Sequence, residues 1–168
     1  MTKTRVLILT KKAVTQKIRR MSYEIYENNF EEKELIVAGI LENGYVLAKK
    51  LKKELEQICP IKIRLVKLNI NKDAPLEDDI KIDCEMGDLK NKSVILVDDV
   101  LSTGRTMAFS LRAFLNAEIK KMEAAVLVDR SHKLFPVEAK FKGYELSTTL
   151  NEHVEVKLIG DEQGVYLA

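Results

Sequence analysis

The chain has little of what would mark a disulfide-stapled, zinc-bound, membrane or disordered protein. It holds two cysteines, two histidines and three prolines in 168 residues. Cys59 and Cys84 lie far apart in sequence and fit neither a CxxC nor a zinc-ligand pattern, so reduced thiols in a cytosol are expected. His132 and His153 each lack a ligand-spaced partner and read as surface or hydrogen-bonded histidines. No apolar run approaches the ~18 residues of a membrane helix, and no signal-peptide core opens the sequence. The expected setting is therefore cytoplasmic, with no membrane partner. Repeats, low-complexity tracts and Pro- or Gly-rich linkers are absent, which favours one domain over 1–168. Charge is nearly balanced at 28 basic against 26 acidic residues, which argues against a strongly polyanionic partner. With 46% hydrophobic and 32% charged residues the chain is built to fold. At this length about 70% of the unfolded surface can be buried, so a core needs no staples.

What is present is an alternation of strand and helix signals. Leu35–Ile40, Val94–Val97 and Ala124–Val128 are continuous apolar runs of the kind buried on both faces of a sheet. Between them, Val46, Leu47, Leu51, Leu55 and Ile58 recur at helical spacing, and Pro60 closes that helix. Ile18, Met21, Ile25 and Tyr26 form one face of an N-terminal helix. A third helical stripe is read over Met107, Leu111, Phe114 and Leu115. Ile61–Ile70 alternates and then shifts near Val66, which predicts a bulge or bend. From Pro136 the tail changes character: Val137–Phe141, Val154–Leu158 and Val165–Leu167 read as short strands forming a small hood, which the N-terminus is a candidate to join. The predicted class is α/β, a Rossmann-like parallel sheet flanked by helices with a small β hood. The core spans about 10–130 and the hood mainly 131–168. In such sheets ligands sit at the carboxyl ends of the strands.

One segment carries most of the chemistry, Val94-Ile-Leu-Val-Asp-Asp-Val-Leu-Ser-Thr-Gly-Arg-Thr-Met107. Asp98 and Asp99 follow a buried strand, where unpaired charge is costly and ligand hydroxyls or a cation would satisfy it. Ser102, Thr103, Gly104, Arg105 and Thr106 then lead into a helix, whose free N–H groups favour an anion. Acids for a sugar beside a nest for a phosphate describe a ribose 5-phosphate site. A nucleotide-hydrolase reading lacks its GxxxxGK[ST] partner, and a receiver-domain reading needs the acids near the N-terminus. A Ser–Thr helix cap alone does not account for two acids.

These residues resemble the phosphoribosyl-pyrophosphate (PRPP) motif of the type I phosphoribosyltransferases. Ala125-Val-Leu-Val-Asp-Arg-Ser-His-Lys133 with Pro136, and the stretch Gly143 to Val156, are further similar to the pyrimidine-operon attenuation regulators. Members of that family also act as uracil phosphoribosyltransferases. The resemblance implies PRPP with Mg2+, a pyrimidine base, a nucleoside monophosphate product, and a homodimer or higher homo-oligomer. It assigns ribose contacts and catalysis to Asp98 and Asp99, either of which is also a candidate contact for magnesium. The phosphate cradle falls to Ser102, Thr103, Gly104, Arg105 and Thr106. Base contacts fall to Asp129, Arg130 and Val154, with pairing of Arg130 to Asp129 or a neighbouring carboxylate as the structural alternative.

The same resemblance exposes departures. The pyrophosphate loop of relatives reads Gly-Ile-Lys-Thr-Arg-Gly; here it is Gly39, Ile40, Leu41, Glu42, Asn43 and Gly44, with both cations lost and an acid gained. The following segment Asn69–Asp79 is acidic, with Lys72 its only base. Two functions follow: a transferase, or a nucleotide-sensing RNA-binding regulator with weak or no turnover. Lys49 or Lys67 would have to replace the lost cations in a third case. RNA candidates are Arg19, Arg20, His132, Lys133 and Lys140. Tyr23, Tyr26 and Phe30 are read as exposed aromatics on the pairing side of the N-terminal helix.

Overall fold

The computed structural model describes residues 4–168. Strand β1 (Val6–Thr10) runs directly into helix α1 (Lys11–Asn29), with the Thr10 hydroxyl accepting from the Ala13 N–H at 3.1 Å as its cap. Val14, Ile18, Met21 and Ile25 make its buried stripe. Strand β2 (Glu34–Ile40) and helix α2 (Asn43–Ile58) follow, then β3 (Lys62–Asn69) and the two-residue β4 (Lys81–Ile82). Strand β5 (Ser93–Leu101) leads into the short helix α3 (Arg105–Ser110). Strands β6 (Lys121–Asp129), β7 (Phe141–Glu145), β8 (Val154–Lys157) and β9 (Gly164–Leu167) complete the chain.

Six strands form the main sheet in the order β4-β3-β2-β5-β6-β7, parallel except for β4. The chain winds outward from β2 to β3 and later from β5 to β7, so the direction of winding reverses between β2 and β5. That reversal opens a crevice at their carboxyl ends, which is where an open α/β sheet binds ligands. One face of the sheet is covered by α1 and α2, and the other by α3, Leu89 and Phe114. The second, antiparallel sheet β1-β9-β8 is the hood, and Val154, Val156 and Val165 join the core beneath α1 and α2.

Three details differ from the sequence reading. Strand β3 pairs with β2 in unbroken register from Lys62 to Leu68, without a bulge. Its apolar residues instead change sides: Ile63 and Leu65 face the α1–α2 core, whereas Val66 and Leu68 face the other. A strand covered on both faces can do this without bending. The expected strand Val137–Phe141 does not form: residues 137–140 are irregular, and strand β7 begins only at Phe141 and pairs with β6 in the core sheet, while β1 completes the hood. Val137 and Ala139 alternate because they pack into the core on the α3 side, not because they belong to a strand. The third helical stripe shortens to α3 and a 3-10 turn at Leu111–Ala113, leaving Leu115 exposed.

Gly44, in the first turn of α2, sets how closely that helix approaches β5. A Cβ there would lie 2.7 Å from the Val97 carbonyl oxygen and 2.9 Å from the Asp98 Cα, both backbone atoms that cannot swing aside. Gly44→Ala is expected to cost about 1–3 kcal/mol as overpacking, lowering Tm by about 2–4 °C per kcal/mol in a calorimetric scan.

Candidate functional site

Asp98 and Asp99 lie within β5 at the crevice, three and two residues before its end. Asp98 is only 3% exposed, while Asp99 is half-buried. Burial pushes the Asp98 carboxyl up to about 7, aided by the adjacent Asp99 charge and opposed by Lys72. The Lys72 ammonium reaches it at 3.3 Å from the segment after β3. Asp99 is served by Asn43, whose side-chain amide donates to its Oδ2 at 3.1 Å and to the Val156 carbonyl of the hood at 3.0 Å. Both acids are thus met by groups from other segments.

The loop from Ser102 to Gly104 then turns into α3. Gly104 has φ +83°, a left-handed conformation that glycine adopts without the cost a side chain brings. The Thr103 carbonyl accepts from the N–H groups of Leu134 and Phe135, and its hydroxyl from the N–H of Arg105 at 3.2 Å. These contacts hold the loop as a concavity of about 70 Å³ lined by Asp98 and residues 100–107. With α3 only six residues long, the donors this concavity offers are loop N–H groups and hydroxyls more than a helix dipole.

The remaining candidates divide. Asp129 and Arg130 stand beside the cradle because Leu101 is in register with Asp129, and the Arg130 N–H donates to the Leu101 carbonyl at 2.8 Å. They do not pair with each other. Asp129 takes Lys133 at 3.2 Å and Lys142 at 3.6 Å, while Arg130 turns to Ser102, Thr148 and the Glu152 carbonyl. Val154 lies on β8 with its side chain in the core. In the loop joining β2 to α2, Glu42 is exposed and the Leu41–Glu42 peptide is cis. Lys49 and Lys67 both lie over the Tyr45 ring, 5.1 and 5.0 Å from its centre, next to this loop. Four of the five RNA candidates are engaged internally: Arg20 with Glu24 and the Lys142 and Gly143 carbonyls, His132 with the Thr148 carbonyl, Lys133 with Asp129, and Lys140 with Glu123.

Sequence reading missed the roles of Asn43, Lys72 and Thr148. Lys72 carried a signal as the sole base of an acidic loop; Thr148, in a polar run of the tail, carried none. Among the described residues no group of three or more His, Cys, Asp or Glu side chains is placed to hold a metal. The two carboxylates fit magnesium only as partial ligands, with water and ligand oxygens completing its shell. Among the described residues no helix is long and apolar enough to cross a membrane.

Because the Asp98 carboxyl binds its proton more tightly when folded, its contribution to stability falls as pH rises from about 4 and levels off above about 7. Asp98→Asn is therefore expected to raise the Tm of the ligand-free protein by roughly 3–8 °C at pH 8, and by less at pH 5. Nucleotide affinity should fall at least tenfold in calorimetric titration, since the carboxylate is lost.

A family model described as a phosphoribosyl transferase domain matches residues 7–158. The bifunctional protein PyrR of Macrococcus caseolyticus is 34% identical, covering 96% of this chain and 97% of the relative. The bifunctional protein PyrR of Ligilactobacillus salivarius is 37% identical, covering 86% of each chain. Among solved structures, the hypoxanthine phosphoribosyltransferase of Trypanosoma cruzi superposes with a TM-score of 0.74 at 13% identity, over 89% of this chain and 84% of that one. A hypoxanthine-guanine phosphoribosyltransferase from Bacillus anthracis gives 0.70 at 19% identity, over 84% and 82%. At such identities the structures speak to the fold alone. The matched span reaches from the first strand into the hood and takes in both acids and the loop after them, so the chain belongs to the type I phosphoribosyltransferase family and, within it, to the PyrR proteins.

Proposed function

We propose that the chain, as a single domain over 1–168, binds PRPP and a pyrimidine base, uracil, and transfers the phosphoribosyl group to give a nucleoside monophosphate and pyrophosphate. The observation that carries this reading is the contiguity of the buried Asp98, Asp99 and the Ser102–Thr106 concavity at the sheet's switch point. Asp98 and Asp99 accept from the ribose hydroxyls, and the loop holds the 5-phosphate. A base nitrogen attacks the anomeric carbon, the bond to the pyrophosphate oxygen breaks, and pyrophosphate departs with the electron pair while the base loses its proton. Carboxylates near the ring favour the positive charge that grows there. Magnesium arriving with the diphosphate would be held by its oxygens, water and Asp98 or Asp99, and would neutralise leaving-group charge. Lys72 is the counter-ion of Asp98 at 3.3 Å. The setting we propose is the cytoplasm.

A second reading, a nucleotide sensor with RNA as its regulatory partner and slow turnover, is favoured by the cation-free loop. Leu41, Glu42 and Asn43 present no positive charge to pyrophosphate, and Asn43 is already committed to Asp99 and Val156. Of the five RNA candidates, Arg19 alone has no intramolecular partner among the described residues.

Incubation with PRPP, Mg2+ and each nucleobase, scored for nucleotide and pyrophosphate, tests the transferase directly. Native protein is expected to give slow transfer and to bind UMP at least as tightly as PRPP. Leu41→Lys with Glu42→Thr should raise PRPP affinity and transfer by about 10²-fold, the usual scale for a restored donor to a developing anion. Adding Asn43→Arg should forfeit part of that gain, because it removes the bridge to Asp99 and the hood. A native rate equal to that of the repaired variant would show that the loop is not limiting.

We also propose a homodimer or higher homo-oligomer. On α1 Tyr23 and Phe30 are 44% and 64% exposed, whereas Tyr26 is half-buried against the core instead of exposed. Sedimentation equilibrium at micromolar concentration should return at least twice the 19.2 kDa chain mass; Phe30→Glu should shift it towards the single chain.

A further inference from the structure

Lys72 is out of keeping with the segment that carries it. Between β3 and β4 the chain holds Asp73, Glu77, Asp78 and Asp79, and Lys72 is the one base among residues 69–79. Its ammonium passes over these four acids and donates to Oδ1 of Asp98 at 3.3 Å, a carboxylate whose side chain is 5% exposed. Asp99 follows directly and receives only a neutral donor, the Asn43 amide. Among the described residues Lys72 is the only cation that reaches either acid.

The ammonium is delivered by a segment held at several points. Asn71 Oδ1 accepts from the N–H groups of Asp73 and Ala74 at 3.2 and 3.1 Å, and its amide donates to Asp78 at 3.0 Å. Arg112, beyond α3, donates to the Pro75 carbonyl at 3.2 Å. Strand β4 then closes the segment against the end of β3, with Leu68 opposite Ile82 and Asn69 opposite Lys81. A cation held in this way has little freedom left to lose when a ligand arrives. Asp98 Oδ1 also accepts the Asp99 N–H at 3.0 Å, and among the described residues no donor reaches Oδ2. A ligand hydroxyl can be received there with the ion pair intact.

A nucleoside monophosphate in the adjoining concavity adds about two negative charges beside two carboxylates. Such crowding needs a compensating cation, most of all where one carboxylate is already buried. A diphosphate ligand brings a chelated divalent ion for this purpose; a monophosphate has no such chelate. We infer that Lys72 is the tethered counter-ion of this site, a positioning residue that offsets the Asp98 charge and lets the chain bind a nucleoside monophosphate without a divalent ion. This inference rests on the proposed nucleotide site and adds its counter-ion.

Calorimetric titration with UMP, once in EDTA and once with Mg2+, provides the test. Native protein should bind UMP with equal affinity in both. Lys72→Met should lose about tenfold or more in EDTA, the lower end for uncoupling a buried charge pair, and Mg2+ should recover most of that loss. Lys72→Arg, which keeps the charge, should follow the native protein in both conditions. If Lys72→Met does not fold, Lys72→Gln keeps a polar end without the charge and should show the same dependence on Mg2+. Native protein that needs Mg2+ to bind UMP, or a Lys72→Met protein that matches the native one in EDTA, overturns the inference. So does an equal loss with and without Mg2+, which is what a purely structural lysine would give. Each of these results leaves the transferase reading intact. Native protein that binds neither PRPP nor UMP in either condition overturns both.

Discussion

The structure depends on keeping a carboxylate at the centre of a sheet that is dry on both faces. Asp98 can sit there only because its surroundings stop short of solvent on one side: the winding of the sheet reverses between β2 and β5 and leaves a crevice beside it. Gly44 lets α2 come down against the backbone at Asp98, which removes water from the acid. The raised proton affinity of Asp98 is the consequence, and it makes the site ready for a cation or for hydroxyl donors. Lys72, from the segment after β3, meets this demand at Asp98, and Asn43, at the start of α2, serves the neighbouring Asp99.

Burial on both faces also governs how much could be read from sequence. Strands β2, β5 and β6 were legible because continuous apolar runs can only be buried there. Legibility failed at the margins. Val137 and Ala139 alternate with polar residues because an irregular segment packs against the α3-side core, and β3 redistributes its apolar residues between two cores without any change of backbone. The site follows the same division. Its acids and its phosphate loop are contiguous in sequence and carry their chemistry openly. The Asn43–Asp99 contact joins residues 56 apart, and Arg130–Thr148 joins residues 18 apart across a strand, so neither has a local signature.

Loss of the cations from the pyrophosphate loop is more than a deletion. Asn43 binds a carboxylate and a hood carbonyl together, a task for a neutral amide with two donors that a long cationic side chain would not perform in the same place. The loop serves as a brace between sheet and hood. Positive charge returns nearby, on Lys49 and Lys67 about the Tyr45 ring, but held by other elements.

The hood is assembled from the two ends of the described chain, with Val6 opposite Leu167 and Thr10 opposite Gly164. During synthesis β1 therefore emerges before every other strand described here and must wait for β9, the last of them, to find its partner. Its exposed Val6 and Leu7 stay unpaired until then. The main sheet can close long before that moment, so a nascent chain passes through a stage with its floor complete and its roof missing.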